Sequence, residues 1–255
     1  MSVLLCPQLY HIAGPDHGTV DLIDELSMPA DSDWALWFDD YRRYIVQIAR
    51  QAQDEKVELL CVGSELPMLS RFEDQWRLTI RVVREVFTGK LTYAAKWEEF
   101  ERIGFWDALD YIGIQAYFPL SRWDMPTLDE MVEAWEGPMA AIARVSRTTG
   151  RKVVFTEIGY PFNVRGPQKP GAWYWHTPDD PEGGARVQAE AYEAFFRTAW
   201  RADWLAGAFI WNWYPGLGER RVITTTQAFT PQGKPALEVM KRWFLAEEAA
   251  AQARK

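Results

Sequence analysis

The sequence predicts an α/β fold, a parallel sheet whose strands alternate with helices. Three observations carry that expectation. Short apolar runs rich in branched residues recur at 3–9, 57–65, 91–96, 111–117, 152–160 and 206–214. Such runs suit strands buried on both faces, the condition of a parallel sheet. Amphipathic helical stretches separate them, and strand–helix alternation implies right-handed crossovers. No Gly-rich phosphate loop follows any strand, since Gly14-Pro-Asp-His-Gly lacks both the spacing and the helix-opening context. A (β/α)8 barrel of the TIM type is therefore preferred to an open doubly wound sheet. That barrel needs eight strands. Six βα units are recognisable, so the expected fold is an incomplete barrel forming a single domain over residues 1–255.

The helices between the runs carry clear punctuation. Trp34, Trp37, Phe38, Tyr41, Tyr44, Ile45 and Ile48 fall on one helical face, behind the capping candidates Ser32 and Asp33. Ser70 and Glu73 have capping-box spacing ahead of Phe72, Trp76, Ile80, Val83 and Phe87, with Gly89 as the closing residue. Thr127 and Glu130 repeat the pattern before Met131 and Trp135, and Gly137-Pro138 then predicts a broken or paired helix. A further helix carries Gln188, Tyr192, Phe195, Phe196 and Trp200, and the last spans about 235–248 before an Ala-rich tail expected to fray.

Composition excludes several classes of function. The 255 residues carry a formal net charge of −8, which disfavours a nucleic-acid partner, because phosphate binding needs a basic face. No apolar run approaches the ~20 residues of a membrane span. Cys6 and Cys61 cannot make a disulfide framework and read as buried thiols in strand-like runs. The segment from Met1 to Cys6 lacks a basic leader, so the chain as it stands reads as cytoplasmic, with any leader upstream left open. His11, Asp16 and His17 lie on a loop without metal-ligand spacing and read as surface residues. The 14 tryptophans are the unusual number. Indole rings fill cores, but they also make the flat apolar platforms that sugar clefts use.

Barrel enzymes set their catalytic groups at the carboxyl ends of strands. Two glutamates occupy such ends, Glu65 in Cys61-Val-Gly-Ser-Glu-Leu and Glu157 in Val154-Phe-Thr-Glu-Ile-Gly-Tyr. Burying an ionisable group there is costly unless it is paired or used. One such residue reads equally well as a structural carboxylate. Two, in the same topological place on different strands, point to glycosidic cleavage, where one acid protonates the leaving oxygen and the other attacks or activates water. Retaining chemistry would set their carboxyls roughly 5 to 5.5 Å apart.

Other strand ends supply helpers. Tyr117 can donate a hydrogen bond to one carboxylate and keep it ionised. Trp211 and Trp213 alternate along the last run, which would point both the same way and offer one as a floor for a sugar. Lys96 and Trp97 end the third run and are candidates for lining the cleft. The Pro- and Gly-rich loop after Glu157 carries Trp173 and Trp175, candidate outer subsites. Asp107 and Asp110 precede a strand and belong to the opposite, stabilising end.

Taken as a set, Val62-Gly-Ser-Glu-Leu, Leu91-Thr-Tyr-Ala-Ala-Lys-Trp, Phe105-Trp-Asp-Ala-Leu-Asp-Tyr-Ile-Gly-Ile-Gln-Ala-Tyr-Phe-Pro-Leu, Phe155-Thr-Glu-Ile-Gly-Tyr, Phe209-Ile-Trp-Asn-Trp-Tyr-Pro and Gly233-Lys-Pro-Ala resemble glycoside hydrolase family 113. The resemblance covers nearly the whole chain. It implies a retaining (β/α)8 glycosidase acting within β-1,4-mannan or related β-linked oligosaccharides, without a cofactor. It makes Glu65 the acid/base and Glu157 the nucleophile of a double displacement. Tyr117 matches the tyrosine that contacts the nucleophile, and Trp211 matches the floor. Ser64 stands where the wider clan usually has an asparagine holding the substrate 2-hydroxyl. Cys6-Pro7-Gln8 falls where relatives often read Lys-Pro-His, so Gln8 is the changed polar group beside the cleft. By the same likeness the chain starts at the third strand, and a six-stranded sheet leaves two open edges through which copies can associate. The alternatives are a non-catalytic carbohydrate-binding barrel, as in a cell-wall-contacting or phage-tail-like assembly, and an inactive truncated glycosidase.

Overall fold

The computed structural model describes residues 3–9, 31–171, 180–215 and 229–253. Six strands are present: β1 (Leu4–Leu5), β2 (Leu59–Ser64), β3 (Lys90–Lys96), β4 (Ile112–Gln115), β5 (Val153–Ile158) and β6 (Leu205–Ile210). They form one sheet in sequential order from β1 to β6. Parallel register pairs Leu4 with Leu59, Leu60 with Leu91 and Ala94 with Gly113, with an irregularity in β2 between Cys61 and Ser64. Six helices intervene: α1 (Asp31–Asp54), α2 (Glu73–Arg84), α3 (Leu128–Ala134), α4 (Glu136–Thr149), α5 (Pro181–Arg197) and α6 (Pro235–Ala253). The predicted α/β class and strand count are both met.

By contacts the chain divides into two compact units, Met1–Gln115 with Arg144–Thr156, and Ala116–Ala143 with Glu157–Lys255. Strand β5 runs through both.

In the first unit, β2 and β4 are buried at every position and β3 at all but its two ends, as expected of strands covered on both faces. Helix α1 buries Trp34, Phe38, Tyr41, Ile45, Ala49 and Ala52, a three-and-four spacing that puts one stripe inward. Helix α2 buries Trp76, Ile80 and Val83. The Trp76 ring stacks on Phe105, with centroids 5.7 Å apart, and meets Phe38 and Tyr93 edge-on. A Cβ on Gly63 would lie 2.5 Å from that indole, so only glycine lets Trp76 sit against β2.

The capping expectations split. The box at Thr127 and Glu130 forms at the start of α3, with both reciprocal hydrogen bonds. The one read at Ser70 and Glu73 does not. Helix α2 begins behind Phe72 without a side-chain cap, and Ser70 Oγ bonds Pro67 O and Glu99 Oε2 instead. That helix also ends at Arg84, short of Gly89. Helix α1 starts at Asp31, so Ser32 and Asp33 lie inside it rather than ahead of it.

Asp107 and Asp110 do serve the opposite end. Asp110 pairs with Arg84 and Lys90 and accepts the Leu91 N–H at 2.9 Å, at the start of β3, while Asp107 pairs with Arg77.

Helices α3 and α4 form the predicted pair, broken at Trp135; α3 lies in the second unit and α4 runs from it into the first. Helix α5 is capped by Asp180, which accepts the Gly183 N–H at 2.9 Å, and has Pro181 in its first turn. Its Phe196 stacks on Trp243 of α6 at 5.6 Å. Glu193, 8% exposed, joins the same two helices by accepting from Trp243 Nε1, Arg197 and Arg242. Strand β6 departs from the expected burial, for its residues are partly exposed throughout. It is the last strand in the order among the described residues, which pair no further strand on its outer side.

Candidate active site

The first unit carries Glu65 on a tight turn. Strand β2 ends at Ser64, and Glu65 takes a left-handed conformation with φ of 52°, which costs a residue with a Cβ roughly 1–2 kcal/mol. The surrounding hydrogen bonds enforce it. Glu65 N–H donates to Ala94 O at 3.0 Å, and Leu66 N–H donates to the Tyr93 hydroxyl at 3.0 Å. Leu69 and Ser70 N–H close back onto Leu66 O, and Trp76 Nε1 holds Leu69 O at 2.9 Å. An enforced outlier carrying a carboxylate at a strand end suits a functional group better than a structural one.

Ser64 is 6% exposed and its Oγ is approached by Gln115 Nε2 at 3.5 Å. Lys96 and Trp97, at the end of β3, are half-buried. Three residues past β3 lies Glu99, 2% exposed, whose burial no local pattern in the sequence signals. Its Oε1 accepts from Lys96 N–H at 3.1 Å and from the Tyr93 hydroxyl at 3.4 Å. Burial pushes this carboxyl up to about 7, against the opposing pull of the Lys96 N–H, Ser70, the Lys96 charge and Tyr93.

The second unit carries Glu157 near the end of β5. It is 8% exposed, and Oε2 accepts a 2.6 Å hydrogen bond from the Tyr117 hydroxyl. That short O–H···O contact fixes the direction of the carboxylate. Tyr117 is itself located on three sides. The Ala116 N–H donates to Glu157 O at 2.7 Å, Phe229 meets the ring edge-on at 6.2 Å, and Gly171 leaves room for it. The helper role read from the sequence for Tyr117 thus has its hydrogen bond.

Trp211 and Trp213 need a correction. Strand β6 stops at Ile210, so neither residue is on it, and period-two alternation does not fix their directions. The Trp211–Asn212 peptide is cis. Both indoles are partly exposed, 37% and 51%. Trp211 N–H donates to Ile158 O at 2.8 Å, which seats it one residue beyond Glu157. The segment that follows is pinned by Gln232, 1% exposed, whose side chain accepts from Tyr214 N–H and donates to Tyr214 O. No sequence signal singled out Gln232, although it adjoins the Gly233-Lys-Pro-Ala motif. Lys234 in that motif is buried, donates to Thr230 O at 2.7 Å and lies over the Phe162 ring, and burial pulls it down to about 8.

Gln8 and Cys6 are half-buried beyond β1, and Cys61 is buried in β2. Trp173, Trp175, His11, Asp16 and His17 lie outside the described residues. Among the described residues no three His, Cys, Asp or Glu side chains group as metal ligands, and no helix is long and apolar enough to cross a membrane.

Six sequential strands with acids at the ends of β2 and β5 place the chain among the TIM-barrel glycosidases, which it matches over most of its length. The chain belongs to glycoside hydrolase family 113, whose family model matches residues 1–234. A GH113 β-1,4-mannanase solved as a complex is 25% identical with a TM-score of 0.72, the match covering 86% of this chain and 65% of that one. The GH113 β-mannanase AaManA from Alicyclobacillus acidocaldarius, solved with ManMIm, is 27% identical with a TM-score of 0.71, over 84% and 63%. The chain therefore spans just under two thirds of the length of these mannanases. A β-glucuronidase from Ruminococcus gnavus in complex with D-glucuronic acid, 13% identical with a TM-score of 0.58 over 83% of this chain and 36% of that one, shares the fold alone. A search of curated proteins finds no match.

Proposed function

We propose that this chain carries the catalytic residues of a retaining endo-β-glycosidase acting on β-1,4-mannan or related β-linked oligosaccharides. The supporting observation is the 2.6 Å bond from Tyr117 to Glu157, in a chain of family 113. A buried carboxylate fixed in direction by a tyrosine suits a glycosyl-accepting nucleophile. Glu157 attacks the anomeric carbon and expels the leaving oxygen, which Glu65 protonates. Water then attacks the glycosyl-enzyme ester, with Glu65 taking its proton, and Glu157 leaves. Trp211 and Trp213, exposed beyond β6, offer apolar faces for sugar rings, and Ser64, Gln8, Lys96 and Trp97 are further proposed substrate contacts.

Kinetics on manno-oligosaccharides and activated aryl β-mannosides test the roles. Glu157→Ala should abolish turnover, and added azide should restore it while giving the α-glycosyl azide. Turnover surviving that substitution removes Glu157 from the nucleophile role. Glu65→Gln should impair poor leaving groups roughly 100-fold or more while sparing activated ones in the glycosylation step. Equal loss on both would count against it.

A further inference from the structure

Glu99 is buried, titratable and unused by the mechanism above. Its contacts all lead to one place. Oε1 takes hydrogen bonds from the Lys96 N–H and the Tyr93 hydroxyl, and Oε2 takes one from Ser70 Oγ at 3.3 Å. Tyr93, in turn, has its oxygen occupied by the Leu66 N–H, the amide that immediately follows Glu65. Ser70 lies at the far end of the same turn, where its N–H closes onto Leu66 O. A single carboxyl therefore ties the start of the turn, through Tyr93, to its end, through Ser70, and fastens both to the end of β3.

We infer that Glu99 is a positioning residue for Glu65: it braces the left-handed turn from which that carboxylate projects, and so sets its aim at the leaving oxygen. This rests on the acid/base reading of Glu65. The brace also explains why Ser70 does not cap α2, since its hydroxyl is already committed. The charged and titratable groups facing Glu99 are Lys96 and Tyr93 from β3, with Tyr41 of α1 behind Tyr93. Glutamine at position 99 can replace every contact, its oxygen accepting from Lys96 and Tyr93 and its amide donating to Ser70 Oγ. Alanine can replace none.

The test compares Glu99→Ala and Glu99→Gln in the full chain by two readouts. Amide hydrogen exchange of residues 65–70 reports the brace without reference to activity. Glu99→Ala should speed exchange there while the amides of β4 and α1 keep theirs, and Glu99→Gln should match the parent. Kinetics report the aim. Glu99→Ala should lower kcat/KM roughly 100-fold on manno-oligosaccharides while nearly sparing kcat/KM on activated aryl glycosides, whose glycosylation needs little protonation, and Glu99→Gln should restore it. Unchanged exchange across 65–70, or equal losses on both substrate kinds, overturns the proposal. A parent protein that turns over no β-glycan overturns the hydrolase reading instead, and exchange then decides the brace alone.

Discussion

At the scale of single residues, the candidate chemistry depends on what touches each carboxyl. Glu157 has a hydroxyl at 2.6 Å, whereas Glu99 has contacts of 3.1–3.4 Å and a burial cost they do not offset. The environment of Glu99 resists a charge. Removing the Tyr117 hydroxyl should weaken the nucleophile without moving the backbone. Tyr117→Phe is expected to lower kcat by roughly 10- to 100-fold, the worth of one hydrogen bond to a charged group, with thermal stability nearly unchanged. Steady-state kinetics beside a melting curve check this. A wild-type kcat would show that the contact is ornamental. The pairing was legible in the sequence as a tyrosine at a strand end, because strand ends are where a barrel exposes side chains. Glu99 was not legible, because its burial comes from residues 29 positions back, at Ser70, and six back, at Tyr93.

At the scale of elements, two glycines let bulky groups approach strands that carry the acids. Gly63 precedes Ser64 and Glu65 and admits Trp76. Gly159 follows Glu157 by two residues, and a Cβ there would lie 2.2 Å from the Trp211 carbonyl oxygen. Since that neighbour is backbone, it cannot swing aside. Gly159→Ala should destabilise the protein by about 1–3 kcal/mol through overpacking and should push Trp211 away from the end of β5. A lower melting temperature with altered Trp fluorescence is the expected outcome, and an unchanged melt would argue that the segment 211–214 is free to move. Helix faces in α1 and α2 followed the periodicity because a stripe of apolar residues has few ways to be buried. Caps followed it less well, since Thr127 is free to cap α3 while Ser70 is engaged elsewhere.

For the molecule as a whole, two of the buried titratable groups, Glu99 and Lys234, give stability a distinct dependence on pH between about 4.5 and 10.5. Glu99 is pushed from its ordinary 4.5 up to about 7 by burial, so between those values the folded chain holds more protons than the unfolded one. Stability must then fall as pH rises across that window, by on the order of 3 kcal/mol if Glu99 acts alone. Lys234 is pulled by burial from 10.5 down to about 8. There the unfolded chain holds more protons, and stability must rise with pH between those values. The net expectation is a minimum near pH 7–8. Melting curves over the full range check it, and Glu99→Gln should remove the fall on the acid side while leaving the rise on the basic side. A parent curve that climbs steadily from pH 5 to 7 would contradict the assignment. The edge at β6 belongs to this scale too. Its partly exposed residues are expected to favour self-association at raised concentration, which sedimentation can measure.

What the sequence determined by itself was the class of fold, the order of strands and helices, and the placing of two glutamates and a tyrosine near strand ends. These follow from local pattern: apolar runs, helical period and the position of an acid at the end of a run. The tertiary structure decided where each strand stops, so that Trp211 and Trp213 fall beyond β6, and which polar groups meet inside, as at Glu99, Gln115 and Gln232. Those outcomes depend on partners far apart in the chain, because a buried polar group must be satisfied by whichever donor or acceptor the packing delivers.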